Sequence, residues 1–338
     1  MADLAPRPLA LGPLKLSVPL GLAPMAGLTD SAFRRLVKRH GSCGLVMSEM
    51  VSSEALVRGI GRSLVYLAFT EEERPVSIQI FGGDPAHMAE AARIVEARGA
   101  DAVDVNMGCP VPKIAKHSAG CSLMREPAHA AAIVAAMARA VKIPVTVKMR
   151  AGWSAREVNA PDLAKRVADA GASAVTVHGR TAEQAYRGQA DWDLVARVAR
   201  AVTIPVFGSG DLVDAAQIVG RLRTTPVAGV LAGRGILHNP WLLAQAGDLL
   251  EGRPARPVTA EDRRRFLLDY IDLLMAEAPG MYRPEAHDRW VVNKLRALCG
   301  YYTRGVEGGA HLRVAVNRAP SVAALRALIE EFFGESVA

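Results

Sequence analysis

The sequence predicts an α/β fold, a (β/α)8 TIM barrel, followed by a small all-helical C-terminal domain. Three observations carry this. Short runs rich in Val, Leu and Ile alternate with amphipathic helical stretches from about residue 20 to 245. Glycine or an Ile-Pro pair punctuates several helix ends just before the next run. Nearly every run ends in a polar or glycine-rich cluster. In a parallel barrel the carboxyl ends of the strands are where binding groups gather.

Taken in order, Leu9–Val18 reads as a short hairpin across the barrel floor. The expected strands are Leu20–Ala23, Leu45–Ser48, Val76–Phe81, Ala102–Asn106, Val145–Lys148, Ala174–His178, Val206–Ser209 and Gly229–Ala232. Helical patterning lies between them, as in Pro85–Arg98, Pro127–Val141, Pro161–Ala170 and Trp192–Val202. Gly99 and Gly171 stand just past helix ends, where a left-handed residue closes the last turn. Lys142-Ile143-Pro144 and Thr203-Ile204-Pro205 end two more helices, because proline has no N–H to continue the ladder. An open doubly wound sheet is the alternative, but eight consecutive units leave no insertion large enough to reverse the strand order. A Pro- and Arg-rich linker, Gly252–Pro257, leads to helical stretches Glu261–Glu277, Glu285–Tyr302, Gly309–Asn317 and Ser321–Phe332. We therefore expect a catalytic barrel over residues 1–250 and a helical domain over 258–338.

The chain has 338 residues, half of them hydrophobic, and a formal charge of +7. A basic balance favours polyanionic partners. The four cysteines, Cys43, Cys109, Cys121 and Cys299, show no CxxC spacing and no accompanying His cluster, so no metal is expected. Sparse cysteine suits a reducing compartment. Neither a signal-peptide pattern nor an apolar run of about 18 residues is present, so no membrane span is expected. A cytoplasmic monomer is the expectation.

The chemistry should sit just beyond the strands. Gly208-Ser209-Gly210-Asp211 follows the seventh and Gly233-Arg234-Gly235 the eighth. These two loops are the usual phosphate site of such barrels: glycines let backbone N–H groups approach phosphate oxygens, and Arg234 can pair with them bidentately. The phosphate could belong to FMN, a sugar phosphate or a nucleotide, and two tight turns are the plain structural reading. Lys148 ends an alternating strand and can oppose negative charge on a reduced flavin, or pair with a carboxylate. The Gln79 amide suits a flavin pyrimidine edge or an ordinary buried hydrogen bond. His178 can donate to a phosphate or a ring, or be satisfied in the core. Cys109 follows Asn106-Met107-Gly108 in a loop. A thiol ordinarily titrates near about 8.5, so at neutral pH it can act as a proton donor. No neighbour in sequence offers the base a nucleophile needs, and an inert cysteine is the alternative. Cys43, Cys121 and Cys299 read as structural.

The stretches APMAGLTDSAFR (Ala23–Arg34), SEM (Ser48–Met50), VSIQIFGGDP (Val76–Pro85), DVNMGCPVPK (Asp104–Lys113), VTVKMRAGW (Val145–Trp153), TVHGRTAEQAYRGQADW (Thr176–Trp192) and AGRGILHNPWL (Ala232–Leu242) closely resemble bacterial tRNA-dihydrouridine synthases. The resemblance is strong over about residues 15–250 and weaker beyond. It implies a flavoprotein oxidoreductase that holds FMN, takes electrons from NADPH or NADH, and reduces the C5=C6 bond of uridines in tRNA. It implies that Pro24, Met25 and Ala26 line the isoalloxazine, that Gln79 and Lys148 contact the ring, and that His178 lies beside the cofactor. It further implies that Ser209, Gly210, Asp211, Gly233 and Arg234 hold the phosphate end. Asn106 would lie between flavin and uracil, and Cys109 would protonate C5 while hydride reaches C6. Three departures stand out. The seventh loop reads Ser209-Gly210-Asp211 where the family usually has Asn-Gly-Asp. HSAGCSLM replaces a more usual GAGSALM. Arg296-Ala297-Leu298-Cys299-Gly300-Tyr301-Tyr302 has lost two basic positions of a common RKHLGWY pattern.

Two rival functions stand beside this one. A flavoenzyme on a free pyrimidine, like a dihydroorotate dehydrogenase, shares the barrel but needs no helical domain. An RNA-binding protein whose barrel has lost catalysis would have no use for Cys109, Lys148 and Arg234. Residues 283–326 hold eight basic groups (Arg283, Arg289, Lys294, Arg296, Arg304, Arg313, Arg318 and Arg326) against three acidic ones. That excess is expected to form a phosphate-binding stripe, with Arg289 and Arg296 touching RNA. The barrel alone is expected to supply every flavin contact.

Overall fold

The structure, a computed structural model, describes residues 9–115, 118–277 and 284–334. Eight parallel strands form a closed barrel: β1 Leu20–Leu22, β2 Leu45–Met47, β3 Val76–Phe81, β4 Ala102–Met107, β5 Val145–Arg150, β6 Ala174–His178, β7 Val206–Ser209 and β8 Gly229–Ala232. Pairing runs in sequence order, and β8 returns to β1 with Leu231 opposite Gly21. The strands are Val- and Leu-rich because both faces are covered; β4 is buried at every position. Leu9–Leu11 and Leu14–Leu16 form the antiparallel hairpin. Leu11 and Leu16 are wholly buried beside Leu45, Ala174, Phe207 and Leu231, so the hairpin plugs the amino-terminal mouth.

The outer helices begin where the local chemistry directs. Asp30, Asp84, Asp191 and Asp214 each accept a hydrogen bond from the backbone three residues on, satisfying a donor the helix start leaves orphaned. Gly99 and Gly171 adopt φ of 83° and 103°, the left-handed closures anticipated from their places.

One region reads differently from the sequence. Between β2 and β3 the chain makes a short strand, Val51–Ser52, then small helical turns through Glu73. Turns this short have no periodicity to detect.

Beyond the barrel lie helices Ala260–Ala276, Pro284–Tyr302, Gly309–Arg318 and Val322–Gly334. Aromatic rings join them to the barrel: Phe266 stands edge-on to Phe33 at 6.1 Å and lies 5.6 Å from Trp241. Polar contacts sit alongside. Tyr270 Oη donates to Asp30 at 2.8 Å, and Lys294 Nζ reaches Asp30 at 3.0 Å, Glu49 at 3.5 Å and the Gly27 carbonyl at 3.3 Å. Among the described residues no helix is long and apolar enough to cross a membrane.

Candidate active site

Strand register sets the candidate side chains at one level. Gln79 lies opposite Asp104, Asn106 opposite Lys148, Arg150 opposite His178, and His178 opposite Ser209. Five consecutive strands thus deliver their last polar residues to one rim.

At that rim opens a cavity of about 250 Å3. Pro24, Met25, Lys148 and His178 line it together with Ser209, Gly210, Asp211, Gly233 and Arg234. Tyr186, His238, Tyr301 and Arg304 complete the wall. The glycines answer to crowding. A Cβ on Gly210, whose φ is 116°, would sit 2.7 Å from the Ala190 Cβ, and one on Gly235 would meet the Leu212 carbonyl oxygen at 2.1 Å. A Cβ on Gly208 would collide with the Trp192 ring at 2.3 Å, and the same indole donates to the Gly210 carbonyl at 3.1 Å. Trp192 therefore fixes the shape of the seventh loop. Asp211 fixes its tip: the carboxylate accepts from Arg180 at 2.9 Å and from the Ala190 N–H at 2.7 Å. Asp211 thereby shapes the wall by binding protein groups. Arg234, 4.0 Å from that carboxylate, extends over the Tyr186 ring with its guanidinium 4.3 Å from the centroid.

The thiol loop hangs from a buried hydrogen-bond chain. Thr146 Oγ1 donates to Asp104 at 2.6 Å, Gln79 Nε2 donates to Asp104 at 2.7 Å, and Asn106 Nδ2 donates to Gln79 Oε1 at 2.7 Å. The Asn106 side-chain oxygen, Oδ1, then accepts from Gly108 N at 3.1 Å and Cys109 N at 2.9 Å. Arg150 holds the same loop from the other side: its Nε donates to the Gly108 carbonyl at 2.7 Å, and Nη1 to those of Thr181 and Ala185, each at 2.9 Å. Cys109 is half-buried, and its backbone is tied from two directions. Gln79 is 1% exposed, with both amide ends hydrogen-bonded inside this chain.

Electrostatics distinguishes these groups. Burial pushes the Asp104 carboxyl up to about 6 against the hydrogen bonds of Thr146 and Gln79. Burial, seconded by Arg150, lowers Lys148 to about 8, with Asp104 and Cys109 pulling the other way. His178 is held well below the ordinary histidine value by burial first and then by Lys148, Arg150, Arg180 and Arg234, so its imidazole is neutral. Lys148 makes no ion pair among the described residues, and the buried His178 Nδ1 has no hydrogen-bond partner. A cationic, glycine-floored cavity with an orphaned imidazole nitrogen fits a phosphate-bearing planar ligand such as FMN.

Three placements depart from the sequence reading. The sequence reading put every flavin contact on the barrel, and Tyr301 and Arg304 of the helical region form part of the wall of this cavity as well. Sequence periodicity carries no information about how two domains dock. Ala26 adjoins the wall residues Pro24 and Met25 without itself lining the cavity. The basic stripe is thinner than its composition. Lys294 pairs with Asp30 and Glu49, Arg326 with Asp272, and Arg313 donates to Thr303 Oγ1 at 2.7 Å. Arg296 donates to the Ala319 carbonyl at 3.0 Å, which ties two helices together. Arg289, Arg304 and Arg318 are exposed, and Arg283 lies outside the described residues. The residues that sequence reasoning missed, Arg150, Arg180 and Trp192, all act on loop backbone. The one local signal was Arg150 two places after Lys148, on the same face of a strand.

Comparison with known proteins agrees with this geometry. A family model described as dihydrouridine synthase matches residues 21–328. A probable tRNA-dihydrouridine synthase of Rhodobacter capsulatus is 39% identical over 330 residues, covering 97% of this chain and 98% of that one. A probable tRNA-dihydrouridine synthase of Rickettsia bellii is 38% identical, covering 96% and 97%. The tRNA-dihydrouridine synthase B of Pseudomonas aeruginosa is 37% identical, covering 96% of each. Among solved structures, a 2-naphthoyl-CoA reductase aligns with a TM-score of 0.54 at 14% identity, covering 75% of this chain and 53% of that one. A morphinone reductase aligns with a TM-score of 0.51 at 13% identity, covering 75% and 92%. At such identities these two likenesses speak for the barrel fold alone.

Proposed function

The chain belongs to the dihydrouridine synthase family, and from that premise we propose that it is an FMN-dependent oxidoreductase that reduces the C5=C6 bond of uridines in tRNA with electrons from NADPH or NADH. One observation supports the reading above the others. A cysteine loop, pinned through Asn106 and Arg150, stands at the register level of Lys148 beside a cationic, glycine-floored cavity.

In this reading Pro24, Met25, Lys148 and His178 face the flavin ring, while Ser209, Gly210, Gly233 and Arg234 surround its phosphate end. Reduced by the nicotinamide, a flavin held here would supply hydride chemistry for C6 of the uracil. Cys109 Sγ–H delivers the proton to C5. Asn106 and Arg150 hold the Cys109 backbone, so the thiol meets the base in a set geometry, and such orientation is itself a large part of catalysis. Gln79 and Asp104 lock the Asn106 amide. Neutral His178 offers the cavity a hydrogen bond without competing for negative charge, and Lys148 provides the charge. The uridine must leave its stack, at a penalty of a few kcal/mol that is lowest in loops of folded RNA. We assign the barrel to residues 1–250 and RNA contact to the helical domain over 258–338, with exposed Arg289 as one of its phosphate contacts.

The test is dihydrouridine mapping in an unmodified tRNA transcript incubated with enzyme and NADPH. Dihydrouridine at discrete positions is the expected product. Equal turnover of free uridine would favour the dihydroorotate dehydrogenase-like reading, and a protein that retains no flavin would remove both.

Lys148 gives a pH signature. Its ammonium is fully charged well below about 8 and discharges as pH rises through that value. An anionic ligand binds the charged form better, so FMN affinity of the flavin-free protein should decline as pH rises through about 8. In Lys148→Arg the decline should move beyond the accessible range, since guanidinium stays protonated. Identical profiles for the two proteins in a fluorescence titration would take Lys148 out of the ligand's field.

A further inference from the structure

We propose that Arg304, carried by the helical domain, binds the phosphate of the flavin, so that this domain completes the cofactor site. The proposal rests on the reading of the cavity as the FMN site.

Arg304 lies just past the end of helix Pro284–Tyr302, with its guanidinium 5.6 Å from the centre of the Tyr301 ring. Tyr301 stands edge-on to His238, ring centres 5.7 Å apart, and His238 ends the short helix after β8 that begins at Arg234 and is preceded by Gly233. Two guanidiniums and an imidazole from different domains thus line one cavity. Arg304 and Arg234 both add to the burial that lowers the His238 pKa, which places them within electrostatic reach of one ring. The carboxylate in this wall is Asp211, already engaged by Arg180 and the Ala190 N–H. Among the described residues Arg304 forms no ion pair. With one carboxylate shared among Arg180, Arg234 and the Ala190 N–H, the wall keeps an excess of positive charge that an anion would relieve.

Position favours the flavin phosphate over an RNA phosphate. Arg304 shares one cavity with Pro24, Met25 and Lys148 at the ring end, and with the glycines that let backbone approach an oxyanion. Within the basic stripe, Arg304 is therefore reassigned from the substrate to the cofactor.

The experiment uses the full chain freed of flavin, titrated with FMN and with riboflavin, which lacks the phosphate. Wild type, Arg304→Ala, Arg304→Lys and Arg234→Ala are compared by flavin fluorescence. A charged hydrogen bond lost from the phosphate should weaken FMN roughly 10- to 100-fold in Arg304→Ala. Riboflavin affinity should stay unchanged, and Arg304→Lys should recover part of the loss. Unchanged FMN affinity together with a raised KM for tRNA would assign Arg304 to the RNA and overturn the proposal. Equal losses for FMN and riboflavin would also overturn it, pointing to a docking role for the side chain. A wild-type protein that binds neither flavin would instead bring down the cofactor reading itself.

Discussion

Cys109→Ala is expected to keep FMN and accept electrons from NADPH at the wild-type rate, while reducing uridine in tRNA roughly 10²–10⁴-fold more slowly, the usual worth of a positioned acid. The separation follows from the geometry. Cys109 is outside the cavity wall, and the bonds that hold its loop run to its backbone, so removing Sγ leaves both intact. Asn106→Ala should slow the same step by another route. It frees the Gly108 and Cys109 N–H groups and leaves the buried Gln79 carbonyl without its donor. The measurement is single-turnover oxidation of the prereduced enzyme by tRNA, read from the flavin absorbance. A Cys109→Ala trace that overlays wild type would remove the thiol from proton delivery.

What the sequence made legible follows a physical division. Each barrel strand is a Val- or Leu-rich run bounded by Gly or Pro, a short-range signal, and β3, β6, β7 and β8 begin and end where the pattern predicts. Lys148, His178, Ser209 and Arg234 were legible because parallel register converts the end of a strand into a place at the rim. The functions of Arg150 and Arg180 were not legible, since each binds carbonyls in loops that only the closed barrel brings near. Composition misled at Lys294 and Arg296. Charge counting cannot tell an arginine that faces solvent from one that fastens two helices, and Arg296 does the latter. Tyr301 and Arg304 reach the cavity through domain docking, the longest-range relation in the molecule.

Glu73→Ala should destabilise the protein by about 3–5 kcal/mol, whereas Glu72→Ala, one residue earlier in the same Glu71-Glu72-Glu73 run, should lose about 1 kcal/mol or less. The sequence does not distinguish these carboxylates, but burial does. Glu73 is wholly buried and accepts from Arg34 Nε at 2.6 Å, Ser31 Oγ at 2.6 Å and Thr70 N at 2.9 Å. Removing it leaves the buried Arg34 guanidinium without its ion-pair partner, which is where the large penalty arises. Glu72 is partly exposed and pairs with Arg35 and Arg39 at the surface, where water and salt weaken the attraction. The effect should extend to the site. Arg34 also donates to the Thr29 carbonyl at 2.8 Å, and Thr29 Oγ1 accepts from Met25 N at 3.0 Å, so the pair braces the loop that carries Pro24 and Met25 into the cavity wall. Glu73→Ala should therefore release FMN faster as well as unfold at lower urea, while Glu72→Ala matches wild type in both. Urea unfolding at equal FMN saturation gives each variant the same stabilisation from bound ligand, so the difference in midpoint reports the protein itself. Equal midpoints for the two variants would show that the Arg34–Glu73 pair contributes no more than a surface one.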